Sequence, residues 1–418
     1  MRYQGVFHFL FKKMEKGQHR GMGMLSPGLP HTPKRSGIGR RDFLKVCAAG
    51  ALALGTGEAL QAQAARTRRP LITLFLSGGP SHKETWNPDL PDVSSELRGP
   101  FQSVQTAAGF RVSELFPEMA RRSRDFSLLR AIRTNSVDHP ESAVALLKPR
   151  GDTLGMRWGN QAADGGMPYT FVRHLRTRDY NPAHQISDSF QVSYDPTSRR
   201  FVPPDLDFEQ DMEERRELLE AFDTPVPSPL ADRHDRFRDL AFSLLQGDGD
   251  FMDAFELPDD ERQQYGSSVT GDGLLLARRL ADAGAGAVTV HHEPLDLTWD
   301  WHNGIVGMRR ITPEVDRAVS ALLDDIRQEK SNAVLLVVGE FSRTPRINGG
   351  AGRDHWPEAN CAVLAGGYTR GGVAHGRVSP LGLTIDGNVT PQSFLNTVQL
   401  ACGGQVPPAE PKVREVLQ

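Results

Sequence analysis

Three cysteines in 418 residues are too few for a disulfide scaffold, and aromatic residues make up only 7% of the chain. Charge of one sign is missing too: 49 Lys and Arg stand against 52 Asp and Glu, a formal net charge of −3. That balance argues against the broad basic surface of a nucleic-acid binder. No apolar run approaches the ~20 residues that a bilayer-spanning helix needs. There is no P-loop, no G-x-G-x-x-G after a strand and no G-x-S-x-G elbow, so nucleotide-dependent chemistry and a serine-esterase mechanism lack their signatures. What is plentiful is glycine and proline, 41 and 29 residues, above the usual share. With 38% hydrophobic and 24% charged residues, the composition is that of a globular chain with long loops, the places where chemistry is often carried.

Residues 1–39 are basic and aperiodic, and then Arg40-Arg41-Asp42-Phe43-Leu44-Lys45 leads into an apolar stretch at 46–55. Ala62-Gln63-Ala64 offers a small-x-small cleavage site. The pattern is that of a twin-arginine signal occupying residues 1–64, with Met22 or Met24 as alternative starts, so the expected partner is the twin-arginine export machinery and the expected location is the periplasm or beyond. No stable membrane span is expected after cleavage. Removing the leader leaves 39 basic against 49 acidic residues in 65–418, a net −10. Cys47 departs with it; Cys361 and Cys402 stand either as a disulfide pair or as two small core residues.

The run at 71–76 is apolar and β-rich without alternation, the pattern of a strand buried on both faces of a parallel sheet. It empties into Ser77-Gly78-Gly79-Pro80-Ser81-His82. A helix is expected over 114–124, a strand at 126–132, and a helical stretch opening at Asp138-His139-Pro140. Residues 150–265 lose this regularity, apart from a charged helix near 207–222, and read as an insertion or cap over the sheet. Order returns with a helix near 274–280, a strand at 287–290 ending in His291-His292, a helix from Pro313 to about Gln328, and strands at 333–338 and 361–364. Strands alternating with helices predict a doubly wound, mostly parallel sheet in an α/β/α sandwich, one domain over 65–418.

Four expected strand ends carry the same residue types: Ser81, His82 and Glu84; Asp138 and His139; His291 to His302; then Glu340, Asp354 and His355. Carboxylates and imidazoles in these numbers suit one or two divalent ions such as Zn, Mn or Ca. Arg343 and Arg353 lie close by in sequence, and a guanidinium fork suits a phosphate or sulfate oxyanion as well as it suits Asp354 or Glu340. Trp299 and Trp301 flank Asp300, walling a pocket or packing beneath the cap.

Gly339-Glu340-Phe341-Ser342-Arg343-Thr344-Pro345, then Gly352-Arg353-Asp354-His355-Trp356-Pro357 and Leu364-Ala365-Gly366-Gly367, closely resemble the signature of the DUF1501 family, whose members read GEFGRTP, GRDHWP and AGG. Trp299-Asp300-Trp301-His302 stands where that family has WDTH. The resemblance covers nearly the whole of 65–418, least well at 150–265. It implies the alkaline phosphatase-like superfamily, related to sulfatases, with a metal site at the strand ends. His139-Pro140-Glu141-Ser142-Ala143 with Lys148-Pro149-Arg150 is similar in layout to the sulfatase C-x-P-S-R segment, which puts His139 in the nucleophile position or makes it a further ligand. The chain departs from the family at Glu84 and Asn87, where aspartates are usual, and at Ser342, where glycine is.

The resulting expectation is an exported metal-dependent hydrolase of phosphate or sulfate esters. Its metal ligands come from Glu84, Asp300, His302, Glu340, Asp354 and His355. His139 is the nucleophile-position residue, and Arg343 and Arg353 are the oxyanion clamp. The alternative is a non-catalytic binding protein on the same scaffold that holds a sulfated or phosphorylated glycan or a protein partner. Presence of a metal with an open position discriminates the two.

Overall fold

The computed structural model describes residues 67–148, 153–162, 167, 169–173, 190–203, 238–241, 249–293 and 298–418. The expected export leader, Cys47 and the charged helix at 207–222 lie outside the described residues.

Among the described residues, a nine-stranded sheet forms the centre. In chain order its strands are β1 (Leu71–Leu76), β2 (Phe126–Ile132), β3 (Tyr169–Arg173), β4 (Phe190–Asp195), β5 (Arg200–Val202), β6 (Ala287–His292), β7 (Val334–Val338), β8 (Asn360–Ala365) and β9 (Ala374–His375). Across the sheet they run β9-β2-β8-β7-β1-β6-β3-β4-β5. Pairing is parallel throughout the centre, from β7 through β1, β6 and β3 to β4, while β8 is antiparallel to both its neighbours and β5 is antiparallel to β4.

The side-chain period of two sends alternate residues to opposite faces. Ile72, Leu74 and Leu76 of β1 enter one apolar cluster with helices α4 (Val269–Asp282) and α5 (Thr312–Arg327), whereas Leu71 and Phe75 enter a second with α2 (His139–Leu147), α3 (Leu154–Ala162) and α6 (Pro391–Ala401). The short α1 (Pro117–Arg121) joins the first layer through Met119 and Ala120. The fold is thus an α/β/α sandwich with a mostly parallel sheet, as the alternation of elements predicts. Local signals start α2 and α5 where expected, whereas α4 begins at Val269, earlier than the expected 274. The Asp138 carboxylate accepts from Glu141 N at the head of α2, Ser268 caps α4 and Thr390 caps α6, and Pro313 occupies the first turn of α5.

One reading of the sequence needs correction, and one strand direction goes beyond it. The described parts of 150–265 are not confined to a cap: β3, β4 and β5 extend the sheet itself, β3 pairing with β6 in parallel register from Tyr169 opposite Ala287 to Arg173 opposite His291. And β8 runs against the parallel direction, so Gly366 and Gly367 leave it at the end of the sheet opposite to the one where β1 and β7 finish. Residues 353–357 therefore enter β8 at the carboxyl ends of the parallel strands. Cys361 and Cys402 are both free and buried.

Among the described residues, no helix is long and apolar enough to cross a membrane.

Candidate metal centre

Four loops meet where β1, β2, β6 and β7 end, the last of them being the loop that enters β8. A two-residue antiparallel ladder pairs Ser342 with Trp356 and Arg343 with His355, so the two signature segments are held as one hairpin. After β1, Gly78 and Gly79 take positive φ values of 111° and 74°. A Cβ on Gly78 would lie 2.5 Å from Asp300 N, so only glycine lets this turn approach the Asp300 loop.

Asp300 is the hub. Its Oδ1 accepts from Arg343 Nη2 at 2.5 Å and lies 3.1 Å from His302 Nε2 and 3.3 Å from His355 Nε2. Oδ2 lies 3.8 Å from His139 Nε2. Donor atoms of His139, Asp300 and His355 all fall within 4.8 Å of one another. Burial on its own would raise the Asp300 carboxyl, but His139, His355 and Arg343 outweigh it and hold the group well below the usual carboxylate range.

The partners of the outer ring nitrogens decide what the inner ones offer. His355 Nδ1 is 2.7 Å from Val137 O, and because a carbonyl only accepts, that nitrogen carries the hydrogen. His302 Nδ1 is 2.8 Å from Asp354 Oδ1, and because an ionised carboxylate only accepts, this nitrogen donates as well. In the neutral rings both Nε2 atoms are then bare acceptors, and they face each other at 2.9 Å beside Asp300 Oδ1. Three acceptors at such separations need a cation between them, a proton or a metal ion. A carboxylate and a backbone carbonyl that orient histidines in this way are the usual outer shell of a metal site, with the histidines as its ligands.

His139 makes the second corner. Its Nδ1 pairs with Glu340 Oε1 at 2.6 Å, and its ring lies edge-on to His355 with centroids 4.5 Å apart. Burial alone would lower its pKa, yet Asp300 and Glu340 raise it to about 9. Glu340 is fully buried; Oε1 also accepts from Gly78 N at 2.8 Å, whereas Oε2 has no hydrogen-bond partner among the described residues. A buried carboxylate oxygen left without a donor is costly. Beside His139 it is one more ligand atom that a cation would satisfy, and the donor set of imidazoles and carboxylates fits Zn²⁺ or Mn²⁺.

Other residues singled out from the sequence have different positions. Glu84 lies in a buried ion pair with Arg353, its oxygens engaged by Arg353 Nε and Nη2 and by Ser81 Oγ, outside the His139, Asp300 and His355 group. Asp354 turns its carboxylate to His302 Nδ1 and Asn348. Neither arginine stands as an open clamp: Arg343 donates to Gly78 O, Gly79 O, Arg353 O and Asp300, and Arg353 donates to Glu84 and to carbonyls of Leu97, Thr344 and Pro345. Both side chains are fully buried. His82 is buried against Ser342 Oγ, and burial pushes its pKa well down. His291 and His292 belong to β6 itself, and Trp299 Nε1 donates to His292 Nδ1.

Three contributors carried no sequence signal strong enough to find them. Val137 acts through its backbone carbonyl, which any residue supplies. Phe341 packs its ring 4.8 Å from His139 and 4.5 Å from His355. Asn348 joins His302 O to Asp354 Oδ1; the Asn348-Gly349-Gly350 turn was its only mark.

The model of the family described as "Protein of unknown function (DUF1501)" matches residues 68–406. No curated protein matches the chain. Solved structures that resemble it include the PsFucS1 sulfatase from Pseudoalteromonas sp., at 9% identity and a TM-score of 0.40, over 93% of this chain and 78% of that one. A protein in the alkaline phosphatase superfamily from Vibrio parahaemolyticus matches at 10% identity and 0.37, over 88% and 76%. The lipoteichoic acid synthase LtaP from Listeria monocytogenes matches at 12% and 0.32, over 82% and 74%. Overlaps this shallow assign no chemistry.

Proposed function

The chain belongs to the DUF1501 family, and from its own site we propose that it is a metal-dependent hydrolase of phosphate or sulfate esters, working outside the cytoplasm after twin-arginine export. One observation carries the reading: the inner nitrogens of His302 and His355 and Asp300 Oδ1 converge within 3.3 Å, and donor atoms of His139, Asp300 and His355 lie within 4.8 Å of one another. In this reading Asp300, His302 and His355 hold a divalent ion, and His139 with Glu340 completes the ligand set or holds a second.

When bound, such an ion supplies a Lewis acid for the ester oxygen and lowers the pKa of a water bound to it. The protein's part is orientation. Arg343 fixes Asp300 against the Gly78-Gly79 turn, Asp354 and Val137 set the tautomers of the two histidines, and Phe341 backs the His139 and His355 rings. Arg343 and Arg353 direct their donors inward and so are not placed to meet a developing oxyanion.

The test is elemental analysis of the purified protein with hydrolysis of aryl phosphates and aryl sulfates, for wild type and for Asp300→Asn and His355→Ala. One or two equivalents of metal and ester turnover, both lost in the variants, support the proposal. Metal without turnover on any ester favours the binding-protein reading, and no metal after reconstitution defeats the hydrolase.

A further inference from the structure

We infer that Glu84 is a positioning residue that sets the spacing of His302 and His355 through Arg353. This deepens the proposed function and rests on that reading of the site. Arg353 Nε lies 3.0 Å from each Glu84 oxygen and Nη2 lies 2.7 Å from Oε1, a forked grip that fixes direction as well as charge. The rest of the guanidinium ties down two other stretches of chain: Nη1 donates to Thr344 O and Pro345 O at 3.0 and 2.5 Å, and Nη2 to Leu97 O at 2.9 Å.

The backbone of Arg353 carries this anchorage to the metal ligands. Its N–H donates to Trp301 O at 2.9 Å, one residue from His302, and its carbonyl accepts from Arg343 Nη1 at 3.2 Å. Two residues later the chain reaches His355. Gly352, just before, lies so close to the His302 backbone that any Cβ would collide with His302 C and O. Arg353 thus ties the His302 loop, through its backbone N–H, to the hairpin that carries Arg343 and His355, which it holds through its carbonyl and its guanidinium.

The length of the acid is part of the device. Gly99 has φ +81°, and a Cβ there would meet Glu84 Oε1 and Arg353 Nη2, so the backbone stands aside for a carboxylate at this reach. An aspartate would withdraw the carboxylate by about 1.5 Å, one C–C bond, and the fork must either open or pull Arg353 after it.

Glu84→Asp, Glu84→Gln and Arg353→Lys would be compared in the full-length protein. Imidazole ¹⁵N signals of His302 and His355 are read without metal, with His375 as a distant reference; Co²⁺ affinity and visible spectrum are read next, and thermal midpoint separately. Glu84→Asp and Arg353→Lys keep both charges and are the variants expected to fold if Glu84→Gln does not. The expected result is moved His302 and His355 signals, an altered Co²⁺ spectrum and at least tenfold weaker Co²⁺ binding in Glu84→Asp, with His375 unchanged. Unmoved imidazole signals and Co²⁺ binding alongside a lowered midpoint would make the pair a structural brace only and overturn the inference. Wild-type protein that binds no Co²⁺ would count against the proposed function, while the imidazole signals would still decide the role of Glu84.

Discussion

His302 Nδ1 rests 2.8 Å from Asp354 Oδ1 while His302 Nε2 faces His355 Nε2 at 2.9 Å, so the carboxylate acts on the back of a ring whose front points into the site. Asp354 is about half exposed and also accepts from Asn348 Nδ2 at 3.0 Å. An outer partner of this kind tunes a ligand without touching the ion. Asp354→Asn is therefore expected to weaken metal binding by about 10–100-fold, the range seen for outer-shell changes, with unaltered circular dichroism. Chelator competition measures it; complete loss of metal would show that Asp354 ligates directly.

Asp316 makes one part of the stability of the fold depend on pH. Its two oxygens accept from Glu118 N and Met119 N at 2.8 Å each, at the head of α1. Burial raises its carboxyl from an ordinary 3.8 to about 6, against the pull of those two N–H groups. A folded-state pKa above the unfolded one means a contribution fully present below about 3.8 and lost as pH rises through about 6. Wild type minus Asp316→Asn should therefore show stability falling across that window by up to about 3 kcal/mol. Urea titrations at a series of pH values measure the difference, and parallel curves for the two proteins would refute it.

What could be read from the sequence follows from which residues carry local information. Continuous apolar runs mark β1 and β2 closely, and Asp138 before Pro140 marks the head of α2, since burial and capping act within a few residues. The direction of β8 was not legible: a run such as Cys361 to Leu364 reads the same in either orientation, and only its pairing with Val338 and Leu129 reverses it. Residue types in the site were legible, their partners were not. Glu84 meets Arg353 across 269 positions, and nothing local to Glu84 separates a metal ligand from an ion-pair partner. His139 as a neighbour of both Asp300 and Glu340 likewise needed three loops to be placed at once.

The two described cysteines supply a prediction that settles the pairing left open by their spacing. Both are free and buried, and burial pushes the Cys361 thiol up to about 12 and the Cys402 thiol higher still. At pH 8 the thiolate of Cys361 is then about one part in ten thousand. In protein lacking residues 1–64, a colorimetric thiol reagent is expected to find almost no reactive sulfur in the native state and two equivalents in concentrated guanidinium. Zero equivalents in both states would reveal a disulfide.

The Gly78 turn separates the cost of a backbone conformation from the cost of a collision. Gly78 and Gly109 both have φ well into the positive region, +111° and +90°, but a Cβ on Gly109 meets nothing within 4 Å, whereas one on Gly78 reaches the backbone of Trp299 and Asp300. Gly109→Ala should therefore cost only the conformational strain, about 1 kcal/mol. Gly78→Ala adds the displacement of the Asp300 loop and is expected to cost about 1–3 kcal/mol more. It should also weaken metal binding, because Gly78 O and Asp300 share the Arg343 guanidinium. Denaturant midpoints and metal content of the two variants measure this together. If Gly78→Ala matched Gly109→Ala in both, the turn would not be what holds Asp300 in place, and the coupling drawn here between the end of β1 and the metal centre would fail.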